Sequence, residues 1–243
     1  TRVAALLEKS SDASIREDWG LDDKRDWTLA NARTRLRAMT KPYADIKKCC
    51  YRPFDFRFTH YNDVIVTWPR VKVLGNISSD NLALVAARMV KGEDPHHFFV
   101  VQEPTEKIFI SGKTSNNAFI FPLYLRDDDL LSRHAGQRRS NFTEPFLSAL
   151  RGALGSSAAT VVPEEIADYI YAVFHSPGFR SRYAEFLKID FPRLPLPGSL
   201  DLFRDLARLG SELVALHLME SPKRDDFITA YIGPTNPEVG RVG

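Results

Sequence analysis

Four places in the 243-residue chain gather side chains that could do chemistry, and each lacks the company that the chemistry requires. Ser111-Gly112-Lys113-Thr114 matches the end of a phosphate-cradling loop, but the glycine needed five positions before Gly112 is Lys107, so nucleotide binding is not expected there. Asp127-Asp128-Asp129 offers carboxylates for a metal-dependent nuclease without the setting of a nearby lysine, and reads as a solvated loop. His96 and His97 are neighbours, which an extended chain sends to opposite faces, so they are not expected to share a metal. Cys49 and Cys50 are adjacent, without Cys-x-x-Cys spacing and without a local activating partner. The sequence also has no Gly-x-Ser-x-Gly elbow, no Gly-x-Gly-x-x-Gly after a strand and no Asn-Pro-Pro-Tyr-like tetrapeptide to hold a flipped adenine. The chain alone is therefore expected to be no catalyst and to hold no cofactor or metal.

Composition sets wider bounds. Hydrophobic residues make up 44% and charged residues 26%, the mixture of an ordered globular protein rather than a disordered one. No apolar run approaches the roughly 20 residues that cross a bilayer, and the start lacks the apolar stretch of a secretory signal, so no membrane partner and a cytoplasmic location are expected. The net charge of +2 hides an uneven distribution. Residues 8–26 carry seven acids against four bases and residues 33–52 carry seven bases against one acid, a concentration that can draw a polyanion or simply form a solvated face.

The elements that must position these groups follow from periodicity. The first 39 residues have helical character, with Trp27, Leu29, Leu36 and Met39 as buried positions and Arg33 and Arg37 one turn apart. At residues 51–58 the period changes to two: Phe54, Phe56 and Phe58 share one face of a strand, and Asp55 and Arg57 the other. Short apolar runs at 64–66, 82–87, 97–101, 107–110 and 119–125, separated by turn residues, predict a mixed sheet. After residue 141 the pattern is helical: Thr143 caps a helix over 144–150, Pro163-Glu164-Glu165 opens one reaching about 174, another covers 178–187, and the longest runs over 200–218 with Gly210 inside its apolar stripe. Three prolines in residues 190–197 make that stretch an extended connector. The expected fold class is α+β: a helical lead-in from an upstream domain (1–45), a sheet-rich lobe (46–141) and a mainly helical supporting region (142–243). The closing Gly240-Arg241-Val242-Gly243 has no capping element, so the chain is expected to belong to something longer.

Several phrases occur in a fixed order: Tyr51-Arg52-Pro53-Phe54-Asp55-Phe56-Arg57, then Trp68-Pro69-Arg70, then Phe121-Pro122-Leu123-Tyr124-Leu125. They are followed by Tyr169-Ile170-Tyr171-Ala172-Val173-Phe174-His175-Ser176-Pro177, by residues 179–187, and by Asp190-Phe191-Pro192-Arg193-Leu194-Pro195-Leu196-Pro197. This series, over 51–220, resembles the C-terminal region of Type ISP restriction-modification enzymes, single chains that join a nuclease, a helicase-like ATPase, an N6-adenine methyltransferase and a target-recognition domain. The resemblance implies that the chain recognises a double-stranded DNA sequence and positions methyltransferase and helicase domains upstream of it in the same chain. S-adenosylmethionine, ATP and Mg would then belong to the parent enzyme. Trp68 stands where such enzymes commonly have arginine, and a further tail would follow residue 243.

Recognition needs cations for phosphates and planar amides or guanidiniums for base edges. Arg52 and Arg57, five apart, fall on opposite faces of an ideal strand, so at most one of the two is expected to meet DNA directly; the alternative is that Phe54 and Phe58 build core and Asp55 pairs with Arg57. Arg70 and Lys72 share a face if their segment is extended, and Arg88 ends an apolar strand. Lys113, Asn116 and Asn117 lie in a donor-rich loop, where asparagine can bond adenine, or in a plain surface turn. Arg138 and Arg139 precede a helix start suited to phosphate. Arg180, Arg182 and Arg193 are expected to pin helices or the connector. The competing readings are a protein-docking module with little DNA contact and a fragment of a catalytic domain.

Overall fold

A computed structural model describes residues 2–8, 10–111, 116–126, 138–155 and 160–235. Three helices open the chain: α1 (Arg2–Leu7), α2 (Asp12–Trp19) and α3 (Leu29–Ala38). Side-chain oxygens start two of them, Ser11 accepting from the Ser14 amide at 3.2 Å and Thr28 from the Asn31 amide at 3.4 Å. Leu6, Ile15, Leu29, Ala32 and Leu36 form their core with Val64, and the Trp27 indole donates to the Val64 carbonyl at 2.9 Å. Arg33 is only 5% exposed. Its guanidinium donates to the carbonyls of Leu6, Glu8 and Ser10 and pairs with Asp12, so it ties α1 and α2 to α3. Arg35 pairs with Asp63 at 2.8 Å. The basic run at 33–52 is therefore not one solvated face: its first members neutralise local acids and carbonyls.

The strand expected over 51–58 is instead a hairpin. β1 (Ile46–Arg52) pairs antiparallel with β2 (Asp55–His60), with Cys50 opposite Phe56, Cys49 opposite Arg57 and Arg52 opposite Asp55. The chain reverses at Pro53-Phe54, where Phe54 takes a φ of 64°. Phe54 and Phe58 are thus 52% and 77% exposed rather than core, although the Phe54 ring still meets Phe99 edge-on at 5.4 Å. Cys50 anchors the hairpin to the sheet core with Ile77, Val85, Val101 and Phe109.

Helix α4 (Val71–Leu74) leads to a three-stranded antiparallel sheet of β3 (Ala83–Ala87), β4 (Phe98–Val101) and β5 (Ala118–Pro122), in the order β4-β3-β5. A further antiparallel pair consists of β6 (Tyr124–Arg126) and β7 (Arg138–Ser140). The α+β class holds, but pairing among these strands is antiparallel where a mixed sheet was expected. Residues 64–66 and 107–110 form turns and irregular chain rather than strands, although Phe109 is buried.

The helical half contains α5 (Glu144–Leu154), α6 (Pro163–His175), α7 (Pro177–Arg182), α8 (Ala184–Ile189) and α9 (Leu200–His217). Thr143 sits at the N-cap of α5 without a side-chain capping bond, whereas Ser199 caps α9 at 3.2 Å. The single helix expected over 178–187 is broken at Tyr183 into α7 and α8. Helices α6 and α9 pack through Ile166, Tyr169, Val173, Phe203 and Ala207. Gly210 lies at their crossing, where an added Cβ would meet the Asp168 carbonyl oxygen at 1.9 Å. The sheet rests on this pair: Phe98 packs on Phe174 at 4.8 Å, Val100 contacts Tyr171 and Val214, and His217 stacks on Phe99 at 5.0 Å. The Arg180 guanidinium donates to the Phe174 carbonyl at 2.8 Å, the pinning role its sequence setting suggested. An apolar pocket of about 430 Å³ remains at this junction, lined by Leu84, Phe98, Phe121, Ile170, Phe174 and Phe191.

Two tests follow from the junction. Alanine for glycine inside a helix ordinarily stabilises; Gly210→Ala is expected to destabilise the fold by about 1–3 kcal/mol in denaturant titration, because the crossing cannot admit the methyl group. Burial holds the His175 imidazole down at about 4, with Arg180 and His217 beside it, and burial lowers His217 too. Because the unfolded chain binds protons first, stability is expected to be full above about pH 6.5 and to fall as pH drops towards 4, read as melting temperature against pH.

Candidate nucleic-acid interface

Two buried amides assemble one cationic face. The Asn76 side chain donates to the Lys72 carbonyl at 2.9 Å and accepts from the Arg126 amide at 2.8 Å, joining the end of α4 to β6. Asn81 donates to the carbonyls of Asn76 (2.6 Å) and Tyr124 (2.9 Å), and its oxygen accepts from the Tyr124 amide at 3.1 Å. β6 then sets Arg126 directly opposite Arg138 and Leu125 opposite Arg139. Like charges so placed repel. Asp80 separates them, meeting Arg138 Nη1 at 3.0 Å and Arg126 Nη2 at 3.6 Å. A hydrogen bond from Ser78 and the two guanidiniums hold the Asp80 carboxyl below its ordinary range. The Arg138 guanidinium also lies 4.8 Å from the Tyr124 ring, whose hydroxyl donates to Glu164 at 2.6 Å.

Arg70 and Lys72 border this face, but not as an extended pair. The Arg70 carbonyl accepts from the amides of Val73 (2.9 Å) and Leu74 (3.0 Å), which starts α4 immediately after it. A helical start turns residues two apart to diverging directions rather than one face. Both side chains are exposed, as is Arg139, and among the described residues none of the three makes a hydrogen bond or ion pair.

The other cations anticipated from sequence are placed differently. Arg52 and Arg57 both lie against the Tyr51 ring, at 4.1 and 3.8 Å from its centre, because the turn at Phe54 folds the second strand back beside the first. Each also has a carboxylate, Glu106 for Arg52 and Asp55 for Arg57, both at 2.8 Å. The expected Asp55–Arg57 pair is present; the opposition of Arg52 and Arg57 across one strand is not. Arg88 pairs with Asp190 on the connector at 3.2 Å. Asn116 is buried, its side-chain oxygen accepting from the Lys91 amide at 3.3 Å, so it is not an open loop amide, whereas Asn117 is exposed. Lys113 and Asp127-Asp128-Asp129 lie outside the described residues. Sequence reading missed Arg126, Asn76, Asn81 and Asp80. The only signal of Asn76, Asp80 and Asn81 was a cluster of short polar residues at 76–81, which reads as a turn, and Arg126 had none.

His96 and His97 stack at 5.1 Å instead of diverging, yet no group of three or more His, Cys, Asp or Glu among the described residues is placed to hold a metal. Burial pushes the Cys50 thiol up to about 12, far from a reactive thiolate. No helix of the described residues is long and apolar enough to cross a membrane.

A family model described as the Type ISP C-terminal specificity domain matches residues 1–243. The chain belongs to that family. Among solved structures, this specificity domain is similar to a chain of the cryoEM structure of the DrdV–DNA complex (TM-score 0.63, 22% identity, 90% of this chain and 20% of that one). It is also similar to LlaBIII, an ATP-dependent Type ISP restriction-modification enzyme bound to DNA (0.61, 20% identity, 90% and 14%). A third likeness is to a nuclease-deletion mutant of the Type ISP restriction-modification enzyme LlaGI in complex with a DNA substrate mimic (0.54, 21% identity, 89% and 18%). At these identities the likeness is one of fold, and the specificity domain spans a fifth or less of each of those chains. Among curated proteins no match is found.

The Asp80 clamp yields a test of two opposite signs. Asp80→Asn is expected to raise the salt concentration at which the specificity domain elutes from heparin, because two guanidiniums lose their internal anion. The same substitution is expected to lower the melting temperature slightly, because Arg126 and Arg138 then face each other unscreened.

Proposed function

We propose that this specificity domain reads a double-stranded DNA site within a longer cytoplasmic restriction-modification chain and itself performs no catalysis. The single observation that carries the reading is the α4–β6–β7 face, where Arg70, Lys72 and Arg139 are exposed without side-chain hydrogen bonds or ion pairs among the described residues, beside Arg126 and Arg138. Family membership and structural neighbours described as DNA complexes support it. In this reading Arg138 and Arg139, with Lys72, hold phosphates and fix register, while Arg70 and the exposed Asn117 present groups able to bond base edges. Arg52, Arg57 and Arg88, already occupied by protein partners, shape the surface, the buried Asn116 supports it from beneath, and Lys113 supplies a further cation. Adenine methylation, with S-adenosylmethionine, and ATP- and Mg-dependent translocation and cleavage would be the work of methyltransferase, helicase and nuclease domains elsewhere in that chain.

A docking role is favoured by a different observation. Phe227, Ile228, Tyr231 and Ile232, after α9, are 81%, 99%, 68% and 95% exposed, an apolar series suited to contact with a neighbouring domain of the same longer chain.

Selection of duplexes from a randomised pool, followed by fluorescence anisotropy, tests DNA reading. Enrichment of a sequence motif is expected, with affinity falling by roughly 0.9 log unit per log unit of salt for each phosphate neutralised. Arg139→Ala is expected to weaken all duplexes alike and to reduce that slope by about 1, the signature of a phosphate contact. No enrichment, or binding indifferent to salt, would overturn the proposal in favour of docking.

A further inference from the structure

Trp68 is held in a conformation and an exposure that benefit the fold in neither respect. Its φ is 57°, and Arg70, two residues on, has a φ of 52°. A bulky residue in the left-handed region is an outlier, and such residues persist where the surrounding structure over-determines them, most often at functional positions. The restraints are visible. The buried Tyr61 hydroxyl donates to the Pro69 carbonyl, the proline ring fixes the backbone between the two outliers, and the Arg70 carbonyl is committed to the first amides of α4.

The outcome of this bracing is an indole turned to solvent. Trp68 is 65% exposed, whereas Trp27 is bonded into the first helical core. The Arg70 guanidinium lies 5.7 Å from the indole centre, and Lys72 is exposed one helical step further on. Glycine at this position would relieve the backbone and remove the exposed apolar surface, so folding alone does not account for tryptophan.

We propose that Trp68 is a base-contacting wedge whose indole stacks on a base of the bound duplex while Arg70 bonds the edge of a neighbouring base and Lys72 holds a flanking phosphate. The proposal rests on the DNA-reading function and adds to it the residue that meets the π-face of a base. Aromatic stacking suits this position because every base has a π-face and a rigid platform loses little freedom on contact.

The test uses the 243-residue chain, a duplex enriched from the randomised pool, and 2-aminopurine placed in turn at each position of that duplex. Trp68→Gly and Trp68→Asn, both compatible with a left-handed backbone, are expected to melt no lower than the wild type and yet to bind about 10- to 100-fold more weakly, with an unchanged salt slope. Trp68→Phe is expected to restore affinity to within about threefold, and 2-aminopurine fluorescence to change at one position with the wild type and not with Trp68→Gly. If wild type binds the duplex and Trp68→Gly binds within twofold, the wedge is overturned while DNA reading stands. If Trp68→Gly and Trp68→Asn both melt several degrees lower, Trp68 is a packing residue and the wedge is overturned. If wild type binds no duplex, both proposals fall.

Discussion

The amide of Asn81 is the constraint on which the cationic face depends. Deep in the chain, with almost no exposure, it gives both hydrogens to main-chain carbonyls and takes one from the Tyr124 amide, so both ends of a strong dipole are satisfied where water does not reach. Asn76, next to it, bonds across from the last turn of α4 to the Arg126 amide. An apolar residue in either place would leave main-chain groups of β6 without partners, at a penalty of about 1–3 kcal/mol each. The main chain that carries Arg126, and through the β6–β7 pairing Arg138 and Arg139, is therefore held by two neutral, buried side chains.

This face needs a rigid base, which the close crossing of α6 and α9 supplies. Gly210 lets the two backbones approach until a carbonyl occupies the space of a side chain, and the aromatic groups of Tyr171, His175 and His217 fill the gap between that pair and β4. Tyr124, on β6, reaches Glu164 in the first turn of α6, so the cationic strands and the helical support are joined directly as well as through the core. A surface that must hold several cations in fixed register gains from support of this kind, since each side chain then needs to be ordered only at its tip.

The parts legible in the sequence were those decided locally. The stripe of α9 and the Pro163-Glu164-Glu165 start each place a helix from residues within a few positions. The ordered phrases also identified the family. What escaped was decided by distant partners. Arg33 looks like a surface cation until three carbonyls and a carboxylate from α1 and α2 surround it. Phe54 breaks an alternating pattern by adopting a left-handed turn without glycine, which neither composition nor period signals. The clamp of Asp80 on Arg138 links residues 58 positions apart, and the two asparagines read as an ordinary turn. Arg70 and Lys72 were singled out by type, but their directions depended on whether the segment was a strand or a helix.

Asp80 has a consequence for how the face meets competing polymers. An arginine already satisfied by a tethered carboxylate is not neutral ground: the carboxylate acts at a high effective concentration, and any incoming anion must displace it. Loose, single-contact encounters with cellular polyanions lose that exchange and dissociate quickly. Under the proposed DNA-reading function, a duplex that engages Arg70, Lys72 and Arg139 at the same moment would sustain it. The resident anion would then set a threshold that filters brief collisions from committed binding, favouring rapid scanning over indiscriminate retention.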